Sequence, residues 1–221
     1  MPRKYQMRLR SENMEATRAA IVNAARSIIE NDKSISFSLE SVAKAASVSR
    51  ATIYNLFKSK SELIHAICDK VAVDFGLSNV DHIINDPNPW SALNRYVGAF
   101  VDLYSLNRNL FRRFRVFATT DREFSDVIAF RENRKRVDGL TKILRSLCGD
   151  SLSSEKIDSL ALMLKALLCF EVFDTLCEKN VAPAKVKDQI QEMVLSLVKN
   201  LSDHDGSRVE VVTPENPSQP A

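Results

Sequence analysis

Apolar residues along this chain recur at three- and four-residue intervals, the spacing of helices that bury one face. Ile21, Ala25, Ile28 and Ile29 mark the inner stripe of a first helix, which the pattern starts near Asn13 and ends at Asn31-Asp32. Leu39, Val42, Ala43 and Ala46 mark a short second helix capped by Ser38, and Ile53, Leu56 and Phe57 a third capped by Ser49, with Ser47-Val48 as the turn between them. Ser59 and Glu62 form a capping box that opens a longer fourth helix with Leu63, Ile64, Ile67 and Val71 inward. Asp86-Pro87-Asn88-Pro89 breaks the chain, and Asn88 caps a fifth helix carrying Leu93, Val97, Phe100, Val101 and Tyr104. A sixth has Leu110, Phe114 and Phe117 on one side; a seventh runs from about Arg122 to Leu147. An eighth runs from Ser153 or Ser154 to about Lys179, and between Leu160 and Phe173 only Lys165 and Glu171 interrupt its apolar surface. Pro183 starts a ninth, with Val186, Ile190, Met193, Val194, Leu197 and Leu201 in register. No alternating strand pattern occurs, so the expected fold class is all-α, with about nine helices.

The same pattern divides the chain. Residues 1–12 read as a basic flexible arm, 13–75 as a small helical domain, 76–202 as a larger one, and 203–221 as a disordered polar tail. Charge sharpens the division. The total is +3, but residues 1–60 hold eleven Lys/Arg against five Asp/Glu, a net +6, while residues 61–221 carry −3. A positive footprint on the end with the short helices fits a phosphate-bearing partner. Arg3, Lys4, Arg8 and Arg10 are either a solvated tail or an arm that reaches a minor groove.

Chemistry of other kinds finds no purchase. The three histidines His65, His82 and His204 are isolated, and Cys68, Cys148, Cys169 and Cys177 lack metal-ligand spacing. No Gly-rich phosphate loop, H-E-x-x-H or nucleophile elbow is present, so neither catalytic residues nor a metal nor a cofactor is expected. The N-terminus lacks the apolar core of a signal peptide, and the most apolar run, Leu160 to Phe170, is too short to span a bilayer. A cytoplasmic protein is expected.

Residues 38–60 suit DNA. A helix that enters a major groove needs a buried face to hold its angle and an opposite face of small or polar groups. Ile53, Leu56 and Phe57 supply the first; Arg50, Ala51, Thr52, Tyr54 and Asn55 supply the second. Arg50 suits a guanine fork or a phosphate, Ala51 and Thr52 a thymine methyl, and Tyr54 a phosphate. Ser38, Ser49 and Lys60 stand at helix N-termini, which favour phosphate. Each serine is also explained by capping alone, and a lone lysine by solvation; it is the run as a whole that points to double-stranded DNA.

Residues 15–75 resemble the N-terminal domain of the TetR (tetracycline-repressor-like) transcriptional regulators. The matching positions are Thr17-Arg18, Ile21, Ala24-Ala25, Phe37, the A-x-x-x-x-V-S run from Ala43 to Ser49, Thr52, Ile53-Tyr54, Phe57, Lys60 and Leu63. Two differ: Ser47 stands where that family usually has Gly, and Leu56 where it usually has His. Gly tolerates positive φ better than Ser, so the turn at Ser47 is the place to look for strain. The resemblance implies an all-α homodimer of nine or ten helices whose last two long helices pair in a four-helix bundle. It also implies a repressor released from a palindromic operator by a small molecule in the C-terminal domain.

The C-terminal half supports a homodimer on its own terms. The eighth helix is too apolar for one-sided burial, and residues 153–201 read as a self-complementary interface. For an unidentified small-molecule effector, Phe117, Arg134, Phe170 and Asp174 are the candidate pocket residues, against a default in which the aromatics are core and the charges are paired. The basic cluster Arg112, Arg113 and Arg115 is expected either exposed or facing the small domain. The rival functional reading is an all-α dimeric interaction module that grips a protein and binds no specific DNA sequence.

Overall fold

The computed structural model describes residues 3–31, 37–74, 77, 80–131, 136–178 and 181–204. Among them the order is α1 (Arg3–Asn31), α2 (Leu39–Ala45), α3 (Arg50–Phe57), α4 (Lys60–Asp74), α5 (Val80–Ile84), α6 (Pro89–Leu106) and α7 (Arg108–Thr120). There follow α8 (Arg122–Phe130), α9 (Val137–Cys148), α10 (Ser154–Leu167), α11 (Phe170–Glu178) and α12 (Pro183–His204), with no strand among the described residues. The chain is all-α.

Short side chains start these helices. Ser38, Ser49 and Ser59 accept hydrogen bonds from the backbone N–H of Ser41, Thr52 and Glu62 at 3.1, 3.0 and 3.1 Å. Asn88 accepts from Trp90 and Ser91 ahead of Pro89, and Asp121 accepts from Phe124 to open α8. Each bond satisfies a donor that the helix cannot pair internally.

Three boundaries differ from the periodic pattern. α1 begins at Arg3, well ahead of Asn13, because no Gly or Pro occurs between Arg3 and Asn31 and most of the residues favour helix. The basic stretch expected as an arm therefore continues the backbone of α1. The expected seventh helix is observed as α8 and α9, with π-helical Arg131 and Arg136 at their facing ends and residues 132–135 outside the described residues. The expected eighth is also two, α10 and α11, separated at Leu168-Cys169. There the Leu168 carbonyl accepts from Tyr104 Oη and from Arg136 Nη1, both at 3.1 Å. A tertiary demand on one carbonyl has overridden a continuous helical pattern. The tail from residue 205 lies outside the described residues.

The helices bury two apolar clusters. One joins α6, α9, α10, α11 and α12 through residues such as Leu93, Ile143, Leu164, Phe173 and Ile190. The other holds the inner faces of α1 to α4, and it continues into α7 and α8 through Leu110, Phe114, Phe117, Phe124 and Val127. The core of residues 13–75 is thus not closed within them. Phe37 meets Phe117 and Phe124 edge-on at 6.2 and 6.1 Å between centroids, and those two rings lie 5.6 Å apart. Between α6 and α9, Gly139 leaves room for Tyr96, whose hydroxyl would lie 2.4 Å from an added Cβ. Burial pushes the Tyr96 hydroxyl far above its ordinary pKa, so it stays a neutral donor to the Arg136 carbonyl at 3.1 Å.

The α2–α3 turn carries the strain that its sequence suggested: Ser47 has φ 54°, a left-handed value that costs a residue with a Cβ. Ser47→Gly should raise stability by about 0.5 kcal/mol, the relief of that strain less the added entropy of the unfolded chain. Calorimetric melting checks it, and a lower Tm would count against strain at this turn.

Candidate nucleic-acid interface

α3 has two faces. Ile53 and Phe57 are fully buried, and Leu56 is half-buried beside them. On the other side Ser49, Arg50, Ala51, Tyr54 and Asn55 are exposed and Thr52 is half-buried. Tyr54, 42% exposed, is one of the few large rings left to solvent among the described residues. The Arg50 guanidinium lies 5.5 Å from the centre of the Tyr54 ring, and its Nη2 is 3.4 Å from the Tyr54 hydroxyl. One helical turn apart, the two side chains hold each other upright. That ordering lowers the side-chain entropy either would lose on a groove edge. The Ser49 and Thr52 hydroxyls pair at 2.9 Å, and those of Ser38 and Ser41 at 2.8 Å. Lys58 Nζ donates to the Asn55 carbonyl at 2.7 Å.

The angle of α3 is set from α1. Arg18 Nη1 donates to the Leu56 carbonyl at 3.0 Å, and its guanidinium sits 4.3 Å above the Phe57 ring. A cation at the C-terminal turn satisfies a carbonyl that the helix leaves open and complements its dipole. No period marks this role, because Arg18 is 38 residues from its acceptor.

Lys60 is not a free surface charge. Its ammonium is ion-paired with Asp121 at the start of α8 and lies 5.6 Å from the centre of the Phe37 ring. Its neighbour Ser61 donates to Glu123 at 3.2 Å. Of the eight residues read as DNA contacts, Ser38, Ser49, Arg50, Ala51, Thr52, Tyr54 and Asn55 lie on the two short helices and their caps, and Lys60 turns toward α8.

Residues 21–67 match the sequence model of bacterial regulatory proteins of the tetR family. The match covers this N-terminal segment, 47 of the 221 residues. The match runs from the inner face of α1 through α3 to the middle of α4. Solved structures resemble a longer stretch. A transcriptional regulator from a Rhodococcus species is 15% identical with a TM-score of 0.61, over 83% of this chain and 96% of that one. A transcriptional regulator of the TerR/AcrR family from Aquifex aeolicus is 17% identical with a TM-score of 0.57, over 82% and 99%. A TetR-like transcriptional regulator from Rhodococcus is 16% identical with a TM-score of 0.55, over 82% and 95%. At these identities the likeness is one of fold. No curated protein matches the sequence. No helix among the described residues is long and apolar enough to cross a membrane.

Beyond the matched segment lies a cavity of about 810 Å³. Val71 and Ala72 of α4 form part of its wall, with Phe100 of α6, Phe111 of α7, Phe170 of α11 and Arg136. Arg136 is buried, and its guanidinium lies 4.6 Å from the centre of the Phe100 ring. The candidate pocket residues fare unequally. Phe170 lines the cavity. Phe117 does not: it lies under Phe37 in the other cluster. Arg134 lies outside the described residues. Asp174 is held away from the cavity by Arg108 and Arg112, whose Nε atoms reach its carboxylate. The share of α4 and of Arg136 leaves no mark in the sequence, because neither breaks an apolar period.

The basic cluster of α7 divides between the two expectations: Arg115 is exposed and Arg112 partly so, while Arg113 faces the small domain. Arg112 reaches Asp174, Arg115 pairs with Glu171 at 3.3 Å, and Arg113 donates to the Ile29 carbonyl at 3.1 Å. The three ends of that cluster fasten α7 to α11 on one side and to α1 on the other. Burial alone would raise the Asp174 pKa, but the hydrogen bonds from Arg112 and Arg108 outweigh it and hold the carboxyl below its ordinary value. A carboxyl depressed in the folded state stabilises above its unfolded pKa of about 3.9 and loses that contribution as pH falls through its folded value. Asp174→Asn should therefore lower Tm at pH 7 and cost progressively less below about pH 4. A deficit equally large at pH 2.5 and at pH 7 would refute the ion-pair account.

Proposed function

We propose that the protein is a sequence-specific DNA-binding transcriptional regulator that works as a homodimer and represses until a small molecule releases it from a palindromic operator. The observation that carries this reading is the two-sided third helix, with Ile53 and Phe57 fully buried and Arg50, Ala51, Tyr54 and Asn55 facing out. An apolar underside fixes the angle, and the outer edge carries groups that hydrogen-bond base edges and phosphates. The net +6 of residues 1–60 supplies the attraction to the backbone.

Dimerisation through residues 153–201 is supported by apolar side chains left on the surface. Leu162 and Met163 of α10 are 56% and 50% exposed, and Met193 and Leu201 of α12 are 40% and 38% exposed. Large exposed apolar groups on neighbouring helices mark a contact surface. A two-fold pair would carry two copies of α3, suited to half-sites about 34–36 Å apart. Release by a ligand is supported by the cavity wall, since Val71 and Ala72 belong to the helix that directly follows α3. A molecule pressing on that wall acts on α4, and through α4 on the spacing of the reading helices.

Selection of random duplexes by the purified protein tests the reading. The expected product is a palindrome with half-sites one helical turn apart. Arg50→Ala should weaken binding to that duplex by about 1–3 kcal/mol. Recovery of no preferred sequence, with binding indifferent to salt, would refute it.

A further inference from the structure

An ion pair joins the start of α4 to the start of α8. Lys60, the first residue of α4, is ion-paired with Asp121, which caps α8 sixty-one residues away. Both partners are largely shielded, with side-chain exposures of 21% and 14%. The Phe37 ring lies beneath the ammonium at 5.6 Å. Beside the pair, Ser61 is bonded to Glu123, so two successive residues of α4 face two carboxylates of the α8 start.

We propose that Asp121 is a positioning residue that competes with a DNA phosphate for Lys60, so that this ion pair sets how much of the lysine's charge is available to DNA. The proposal rests on the DNA-binding reading above and deepens it. A lysine ammonium is a compact charge on a flexible four-carbon stem, and it can turn from one oxyanion to another without any movement of the backbone. A carboxylate held against it neutralises the charge that would otherwise meet a phosphate. When Lys60 moves to phosphate, Asp121 keeps its bond to the Phe124 N–H, so α8 stays capped while the latch opens. The position of Asp121 is also tied to the cavity. Ala118 and Thr119, just before it, line that space, and so does Ile128 on α8. A molecule that shifts this stretch would shift the acceptor that holds Lys60.

Asp121→Asn separates charge from structure, because Asn is as good an N-cap as Asp and removes only the negative charge. Asp121→Ser is the second variant, with a capping oxygen of a different length, should the first fail to fold. Binding to a duplex selected by the wild-type protein is measured by fluorescence anisotropy from 50 to 300 mM KCl, for wild type, the Asp121 variant, Lys60→Ala and the double variant. Removing the competitor is expected to tighten binding about three- to tenfold at the lowest salt and to steepen the salt slope by about 0.9, the share of one more phosphate contact. In the Lys60→Ala background the same substitution is expected to change neither affinity nor slope. An Asp121 variant that binds like wild type or more weakly, or a gain that persists without Lys60, overturns the latch and leaves the DNA reading standing. A wild-type protein that selects no sequence overturns both.

Discussion

The Phe37 ring, set against Phe117 and Phe124, is the contact on which the rest of the structure depends. Phe37 precedes the reading unit and the other two rings belong to α7 and α8, so this packing makes one core from segments eighty residues apart in sequence. Edge-on aromatic pairs contribute about 0.5–1.5 kcal/mol each beyond the area they bury. More important is direction. A helix of eight residues has little stability alone, and its angle is whatever its packed underside imposes. Ile53 and Phe57 are fully buried in that shared core, to which α1, α4, α7 and α8 all contribute, so the exposed edge is oriented by a core that extends beyond the reading unit.

Polar contacts reinforce the same seam. Arg26 of α1 reaches Asp74 at the end of α4 and the buried Asn107 between α6 and α7. Arg113 closes the C-terminal end of α1 at Ile29, and Arg131 joins α4 at the His65 carbonyl and Asp69. With the Lys60–Asp121 pair, these contacts bridge the reading helices and the elements of the cavity wall at several points. A packed seam passes a displacement on as a change of arrangement rather than absorbing it. A coupling of about 1–3 kcal/mol is enough to alter affinity by about 5- to 150-fold.

How much was legible in the sequence follows from the range of each interaction. The caps at Ser38, Ser49, Ser59 and Asn88 were readable because each bond spans only two or three residues. The two faces of α3 were readable because they follow the helical period. The strained turn was readable from one residue, since Ser47 stands where glycine is at ease. Interactions that join distant segments left no periodic trace. The break at Leu168 depends on Tyr104 and Arg136, 64 and 32 residues away, and an uninterrupted apolar run concealed it. Lys60 looked like a solvated or phosphate-facing charge because Asp121 is 61 residues downstream. Asp174 resembled a pocket residue for the same reason, until Arg108 and Arg112 were seen to hold it.

Site-resolved hydrogen exchange under mild denaturant tests the shared core most directly. If α1 to α4 and α7 to α8 are one unit, the amides of Ile53, Ile64 and Ile67 should exchange through the same opening as those of Phe117 and Phe124, with the same free energy and the same denaturant dependence. Exchange of the α3 and α4 amides through a cheaper opening of smaller denaturant dependence, with α7 and α8 still protected, would show that the reading head is a separate body and contradict the account.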